Sequence, residues 1–307
     1  MLKIGSLKLN SNLILAPLAG ISDLPFRMLN RKFGAELGFV EMINCRSVSH
    51  KSRRTAQMLS SHPEDRPLGV QLLGCEEQYI SKALEVINGY EFDLLDFNAA
   101  CPAKKVVRRG EGAALLKEPK KLHKLLKLLV RKSRVPVTVK IRTGWDKDSV
   151  NAREVALISE DAGIDALFIH GRTKLQGYSG EVDYKVIKEV KGALKIPVIA
   201  SGNIFSAELI RKMQDETGCD GVAVARGALG NPWIFSGKQP DKEKIIRVML
   251  EHLDGCIDFY RERIGVMKFR KFFSLYTKGF RKVRHLRERS SRAKTKADMV
   301  GIIDALA

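Results

Sequence analysis

The sequence predicts an α/β chain: a (β/α)8 barrel over residues 1–237, followed by a small all-helical domain over 238–307. Two observations carry the barrel. Short, continuously apolar runs recur through the first 226 residues, and amphipathic stretches separate them. A third observation divides the chain: beyond about residue 238 such runs stop and charged helical patterns take over. The length of 307 residues suits one large and one small domain, since α/β barrels commonly use about 250.

The apolar runs begin with LILAPLA (13–19), LGFVEM (37–42), LGVQLL (68–73) and LLDFN (94–98). They continue with VPVTVKIR (135–142), ALFIH (166–170), IPVIAS (196–201) and DGVAVA (220–225). Brevity and unbroken apolarity suit strands covered on both faces, as in parallel sheets. The stretches EEQYISKALEVI (76–87), PKKLHKLLKLLVRK (119–132) and AREVALISEDAG (152–163) have helical patterning. Alternating strands and helices imply right-handed parallel crossovers. Eight units favour closure into a barrel over the alternative, a doubly wound open sheet, because no GxGxxG follows the first strand.

Barrel chemistry sits where the strands end. Here Gln71, Asn98, Lys140 with Arg142, His170, Ser201 and Arg226 fall at or just beyond the last apolar residues. In VPVTVKIR the two-residue period sends Val137, Val139 and Ile141 one way, and Thr138, Lys140 and Arg142 the other. The aliphatic set should face the helices, leaving two cations directed into the mouth. The turns ASGNI (200–204) and ARGALGNP (225–232), after the seventh and eighth strands, can bring backbone amides close to a phosphate. A phosphate-bearing cofactor is therefore expected there.

Cys101, in NAACPAKK (98–105), follows the fourth strand. Pro102 and polar neighbours argue against burial among apolar side chains, and Lys104, Lys105, Arg108 and Arg109 would lower its pKa if they turned toward it. From these residues alone it could be nucleophile, acid or bystander. Its companions Cys45, Cys75, Cys219 and Cys256 are scattered, without metal-ligand spacing, which fits a reducing cytoplasm and no metal site. No apolar stretch reaches the roughly 20 residues of a membrane span, so no membrane association is expected. The net charge of +19 fits either a solvated surface or a polyanion-binding one, and its location must decide.

At these residues the chain resembles the tRNA-dihydrouridine synthase family, nearest to its bacterial B-type members and their archaeal relatives. The resemblance runs through LAPLAGISDLPFR (15–27), NAACPAKKV (98–106) and VKIRTGW (139–145). It continues through IHGRTKLQGYSGEVDY (169–184), VIASGNI (198–204) and RGALGNPWIF (226–235). It implies FMN at the barrel mouth, lined by Pro17, Leu18 and Ala19, with Gln71 and Lys140 on its ring system or ribityl chain. His170, Ser201, Gly202, Asn203, Ala225 and Arg226 would hold the phosphate end. It further implies that NADPH or NADH reduces the flavin, that hydride passes to C6 of a uracil, and that Cys101 gives a proton to C5. Asn98, Arg142 and Tyr178 match positions associated with the base. The chain departs from the usual pattern at Ala100, Ser201, Asn203 and Ala225, and the last of these requires a backbone without positive φ.

The tail reads as three helices, 241–265, 266–291 and 296–307. Between Arg263 and Lys296 lie thirteen Lys/Arg residues against a single acid, Glu288. Phe269, Phe272, Phe273, Tyr276 and Phe280 are expected to form its core. Cations outside that core, among them Arg281, Arg284 and Arg287, would bind tRNA phosphates. A cytoplasmic monomer is expected, with no stable protein partner. The alternatives are another FMN barrel enzyme acting on a free pyrimidine, as dihydroorotate dehydrogenases do, and a non-catalytic RNA-binding protein.

Overall fold

The computed structural model describes residues 1–49 and 53–306. Its barrel strands are β1 (Leu13–Leu15), β2 (Leu37–Phe39), β3 (Leu68–Leu73) and β4 (Leu94–Asn98), then β5 (Val137–Arg142), β6 (Ala166–His170), β7 (Val198–Ser201) and β8 (Gly221–Val224). Each pairs in parallel with the next, and β8 returns to β1 through Val222↔Leu13 and Val224↔Leu15. The sheet therefore closes, as the sequence predicts. A short strand, Ile43–Asn44, extends the edge of β3.

The first strand is shorter than LILAPLA suggests. Pairing stops at Leu15, and Pro17, Leu18 and Ala19 form the strand-exit turn, held by a bond from the Leu18 amide to Ser22 Oγ (2.7 Å). Pro17 has no N–H to continue a ladder.

Helices cover the outside: α1 (Leu24–Lys32), α2 (Cys45–Ser49), α3 (Arg53–Met58), α4 (Glu77–Ile87), α5 (Lys104–Val107) and α6 (Pro119–Lys132), followed by α7 (Ala152–Asp161), α8 (Tyr184–Ala193) and α9 (Ala207–Thr217). In β5, Val137, Val139 and Ile141 join the apolar layer under these helices, as the two-residue period requires. A separate cluster fills the barrel interior: Ile14, Leu37, Phe39, Leu94, Ala166, Phe168, Ile199 and Ala223. Gly69 makes room there, since a Cβ at this position would lie 2.3 Å from the Phe39 ring. The N-terminal end is plugged by an antiparallel hairpin, Leu2–Ile4 with Leu7–Leu9, whose Leu2, Ile4 and Leu9 belong to the interior cluster.

Beyond the barrel lie α10 (Lys242–Tyr260), α11 (Glu262–Tyr276), α12 (Arg284–Ser290) and α13 (Lys296–Asp304). The expected helix over 266–291 is two helices, separated by a turn in which Gly279 and Lys282 adopt positive φ (93° and 57°). Phe269, Phe272, Phe273 and Tyr276 are buried, and Phe280 is half-buried. Phe272 stacks on Phe26 of α1 at a ring distance of 5.7 Å, and Tyr260 donates to Asp23, the N-cap of α1 (3.0 Å). One apolar cluster thus runs from the barrel helices into the C-terminal ones.

Candidate active site

Two-residue alternation on the strands places a polar layer above the apolar interior. Gln71, Asn98, Lys140, Arg142, His170 and Ser201 come from the C-terminal halves of their strands, with Asp96 and Thr138 facing each other one strand period lower. Above them opens a cavity of about 320 Å³. Every residue expected to hold the cofactor or the base lines it: Cys101, Asn98, Gln71, Lys140, Arg142, His170, Tyr178, Ser201–Asn203, Ala225, Arg226 and Pro17–Ala19.

The loop carrying Cys101 is fixed from three directions. Asn98 Oδ1 accepts from the amides of Ala100 and Cys101 (3.0 and 2.8 Å). Arg142 Nε donates to the Ala100 carbonyl (2.7 Å), and the Cys101 carbonyl accepts from the Ala113 amide (3.1 Å). Gly112, at φ 60°, lies directly against this loop: a Cβ there would be 2.8 Å from the Cys101 carbonyl oxygen. Cys101 itself is half-buried and faces the cavity. The four nearby cations do not turn toward it. Lys104, Lys105 and Arg108 are exposed, and Arg109 pairs with Glu111 (2.7 Å). They lie on α5 and the turn after it, beyond the cavity wall.

Arg142 is more constrained than a free ligand-binding cation. Its Nη1 donates to the Thr173 and Gly177 carbonyls (3.0 and 2.8 Å), so it clamps two loops and leaves Nη2 for a ligand. Burial lowers its pKa to about 10, which still leaves it charged at neutral pH. Lys140 is brought down to about 8, chiefly by burial, with Asp96 opposing the shift.

At the opposite side, His170 Nε2 lies 3.4 Å from Arg172 Nη1. An arginine only donates, so Nε2 accepts and Nδ1 carries the proton. Burial, reinforced by Arg142, Lys140, Arg172 and Arg226, holds the His170 pKa down at about 2. His170 therefore offers one N–H and no charge. Arg226 lies 4.7 Å from the Tyr178 ring centre and 5.5 Å from that of Phe205, with Nη2 near Asn203 Oδ1 (3.4 Å). Ser201 donates to the Ile169 carbonyl (3.1 Å). Ala225 has φ −111°, the negative value an alanine needs.

Comparison with known proteins gives the decisive observation. The model of the dihydrouridine synthase (Dus) family matches residues 14–306. The chain belongs to the dihydrouridine synthase family. It is thus an enzyme, and the reduction that names the family makes it an oxidoreductase. A probable tRNA-dihydrouridine synthase of Rickettsia bellii is 40% identical over 291 residues, covering 91% of this chain and 89% of that protein. The tRNA-dihydrouridine synthase B of Pasteurella multocida is 39% identical over 289 residues, covering 91% and 87%. Among solved structures, the old yellow enzyme homologue from Zymomonas mobilis superposes with a TM-score of 0.56 at 13% identity, over 75% of this chain and 89% of that one, which speaks for the barrel fold.

Several residues of this dihydrouridine synthase site escaped the sequence reading. Asp96 lies below the cavity, bonded at 2.7 Å by Thr138, which the strand period had already turned inward. Met42 and Phe205 line the cavity, and Arg172 supports His170. Asp96 was within reach, because it precedes Asn98 by one strand period and so points the same way.

Proposed function

We propose that this enzyme reduces the C5–C6 double bond of uridines in tRNA, hydride going to C6 and the Cys101 proton to C5. The observation that carries the reading is the single cavity, in a member of this family, that holds Cys101 at one side and a cation-and-amide cradle at the other. The two relatives named above are both tRNA-dihydrouridine synthases by name, which supports tRNA as the substrate.

The residues fit FMN. Among the described residues, Lys140 Nζ has no hydrogen-bond acceptor, and neither have the amides of Gly202, Asn203, Arg226 and Gly227. Such free donors suit the oxygens of a phosphate and of a flavin ring. Gln71 and Lys140 would hold the ring system or ribityl chain, Pro17, Leu18 and Ala19 would line the flavin, and His170, Ser201–Asn203, Ala225 and Arg226 would hold the phosphate. Bound there, reduced FMN supplies the hydride, and NADPH or NADH restores it.

Cys101 Sγ holds the proton for C5, so charge need not accumulate on the ring. Arg142 Nη2 and Tyr178 would hold the uracil carbonyls, whereas Asn98 Nδ2 is taken by Gln71 Oε1 (2.8 Å) and Met42 Sδ (3.2 Å), so Asn98 would serve the base by fixing the Cys101 loop. The uridine must leave its stack for its ring edge to reach Cys101. The helices after residue 238 supply the basic surface that grips the rest of the tRNA.

The test is Cys101→Ala with tRNA from a strain lacking this gene. Dihydrouridine formation should fall by roughly 10²–10⁴-fold, the usual contribution of a positioned acid. Flavin reduction by NADPH should stay near the wild-type rate, because the thiol serves only the uracil step. Equal loss of both would remove the acid role.

A further inference from the structure

Beneath the cavity one unbroken hydrogen-bonded chain runs from the barrel interior to the Cys101 loop, and its direction is not free. The Ala100 and Cys101 amides can only donate, so the group they meet on Asn98 is Oδ1 (3.0 and 2.8 Å). That turns Asn98 Nδ2 toward Gln71 and makes the Gln71 atom facing it Oε1 (2.8 Å). Gln71 Nε2 must then face Asp96 Oδ2 (2.6 Å). The other carboxylate oxygen accepts from Thr138 Oγ1 (2.7 Å). Asp96 is thus an obligatory acceptor at the end of a polarised relay, and it is 2% exposed.

The upper side of this layer presents only donors. Gln71 Nε2 keeps a second hydrogen, and Lys140 Nζ is an ammonium without an acceptor among the described residues. The titratable groups facing Lys140 are Asp96 from β4, Arg142 on its own strand and His170 from β6. Asp96 stands opposite Thr138 in the β4–β5 register, one strand period below Lys140, so the two project from the same face. With His170 neutral and Arg142 repelling, Asp96 is the one group among the described residues that favours the charged lysine.

We propose that Asp96 is a positioning residue: it keeps Lys140 charged and, through Gln71 and Asn98, fixes a donor-only floor that takes the acceptor-rich pyrimidine edge of FMN while holding the Cys101 loop in place. The inference rests on the flavin reading above and adds to it the group that sets the polarity of the site.

Asp96→Asn separates charge from hydrogen bonding. An asparagine can turn Oδ1 to Gln71 and Nδ2 to the Thr138 hydroxyl, which rotates to accept, so the relay survives while the charge is lost. FMN added to the apoprotein and followed by flavin fluorescence across the alkaline range gives the readout. Wild-type affinity should fall as Lys140 loses its proton, and in Asp96→Asn that fall should come about one pH unit lower, a tenfold smaller charged fraction at a given alkaline pH. Lys140→Met should abolish the alkaline fall. An unmoved fall in Asp96→Asn overturns the inference alone. No FMN uptake by the wild type overturns the flavin reading and the inference with it. Should Asp96→Asn be too unstable to titrate, thermal unfolding of the apoproteins decides. Adding Lys140→Met should restore its Tm, because the stranded charge is what destabilises it. A double variant no more stable than Asp96→Asn overturns the pairing.

Discussion

Asn98 and Arg142 each bond the backbone beside Cys101, one taking two amides and the other giving to a carbonyl. Cys101 is therefore held by its loop more than by its own side chain, and the loop in turn leans on Gly112. Gly112→Ala would place a methyl group 2.8 Å from the Cys101 carbonyl oxygen at φ 60°, so the loop must shift. We expect dihydrouridine formation to fall by up to about 10²-fold, as small misplacements of reacting groups do, with FMN uptake preserved. Comparing single-turnover reduction of tRNA with flavin titration would check it; unchanged turnover would show that the loop yields without harm. At this scale much was legible, because strand period assigns direction. Lys140 and Arg142 were placed by it, and His170 by its position at a strand end. What stayed hidden is whatever depends on how loops fold back. That Arg142 gives two bonds to carbonyls at 173 and 177, or that Arg172 props His170, has no signature in spacing.

Among the elements, α1 is the most heavily used. Its Arg27 and Arg31 both reach Asp65 in the loop before β3, at 2.6 and 2.7 Å, and both Arg27 and Asp65 are fully buried. Its Asp23 cap also bonds Tyr260 from α10. Asp65→Asn would strand two guanidinium groups on one helix face, a loss of about 3–5 kcal/mol for a buried pair broken from one side. Denaturant unfolding would measure it, and a loss below about 1 kcal/mol would mean that water reaches the site. Strand and helix positions were readable here because apolar period marks them. The break between α11 and α12 was not. Gly279, which takes φ 93° in the turn, is a lone stop signal in a basic run, and the tie that fixes the turn, Arg287 to Thr277, joins residues ten apart. That bond also withdraws Arg287 from the cations expected to meet RNA.

Across the whole molecule, charge is distributed by what remains after structural use. Arg270 bonds the Ala293 carbonyl, Lys271 the Gly20 carbonyl, Lys296 pairs with Asp254, and Arg284 with Glu288. Arg281, Lys282 and Arg289 are exposed and unpaired among the described residues, so they are the better candidates for phosphate contact. Changing all three to Gln should raise the KM for tRNA and lower the slope of log affinity against log salt by roughly one per lost contact. An unchanged slope would place the tRNA elsewhere. The total excess of cations was plain from composition, but its effective part became visible only once each partner was known.

The closure of β8 onto β1 also sets a timetable. The plug hairpin and β1 leave the ribosome before the rest of the barrel, yet the strand that covers the second edge of β1 ends at Val224. Through most of translation the nascent chain therefore carries an open parallel edge beside an unfilled apolar interior, a surface prone to aggregation and suited to chaperones. A premature stop before residue 221 would leave that edge permanently unpaired, so a truncated chain should go to proteolysis rather than persist as a smaller enzyme.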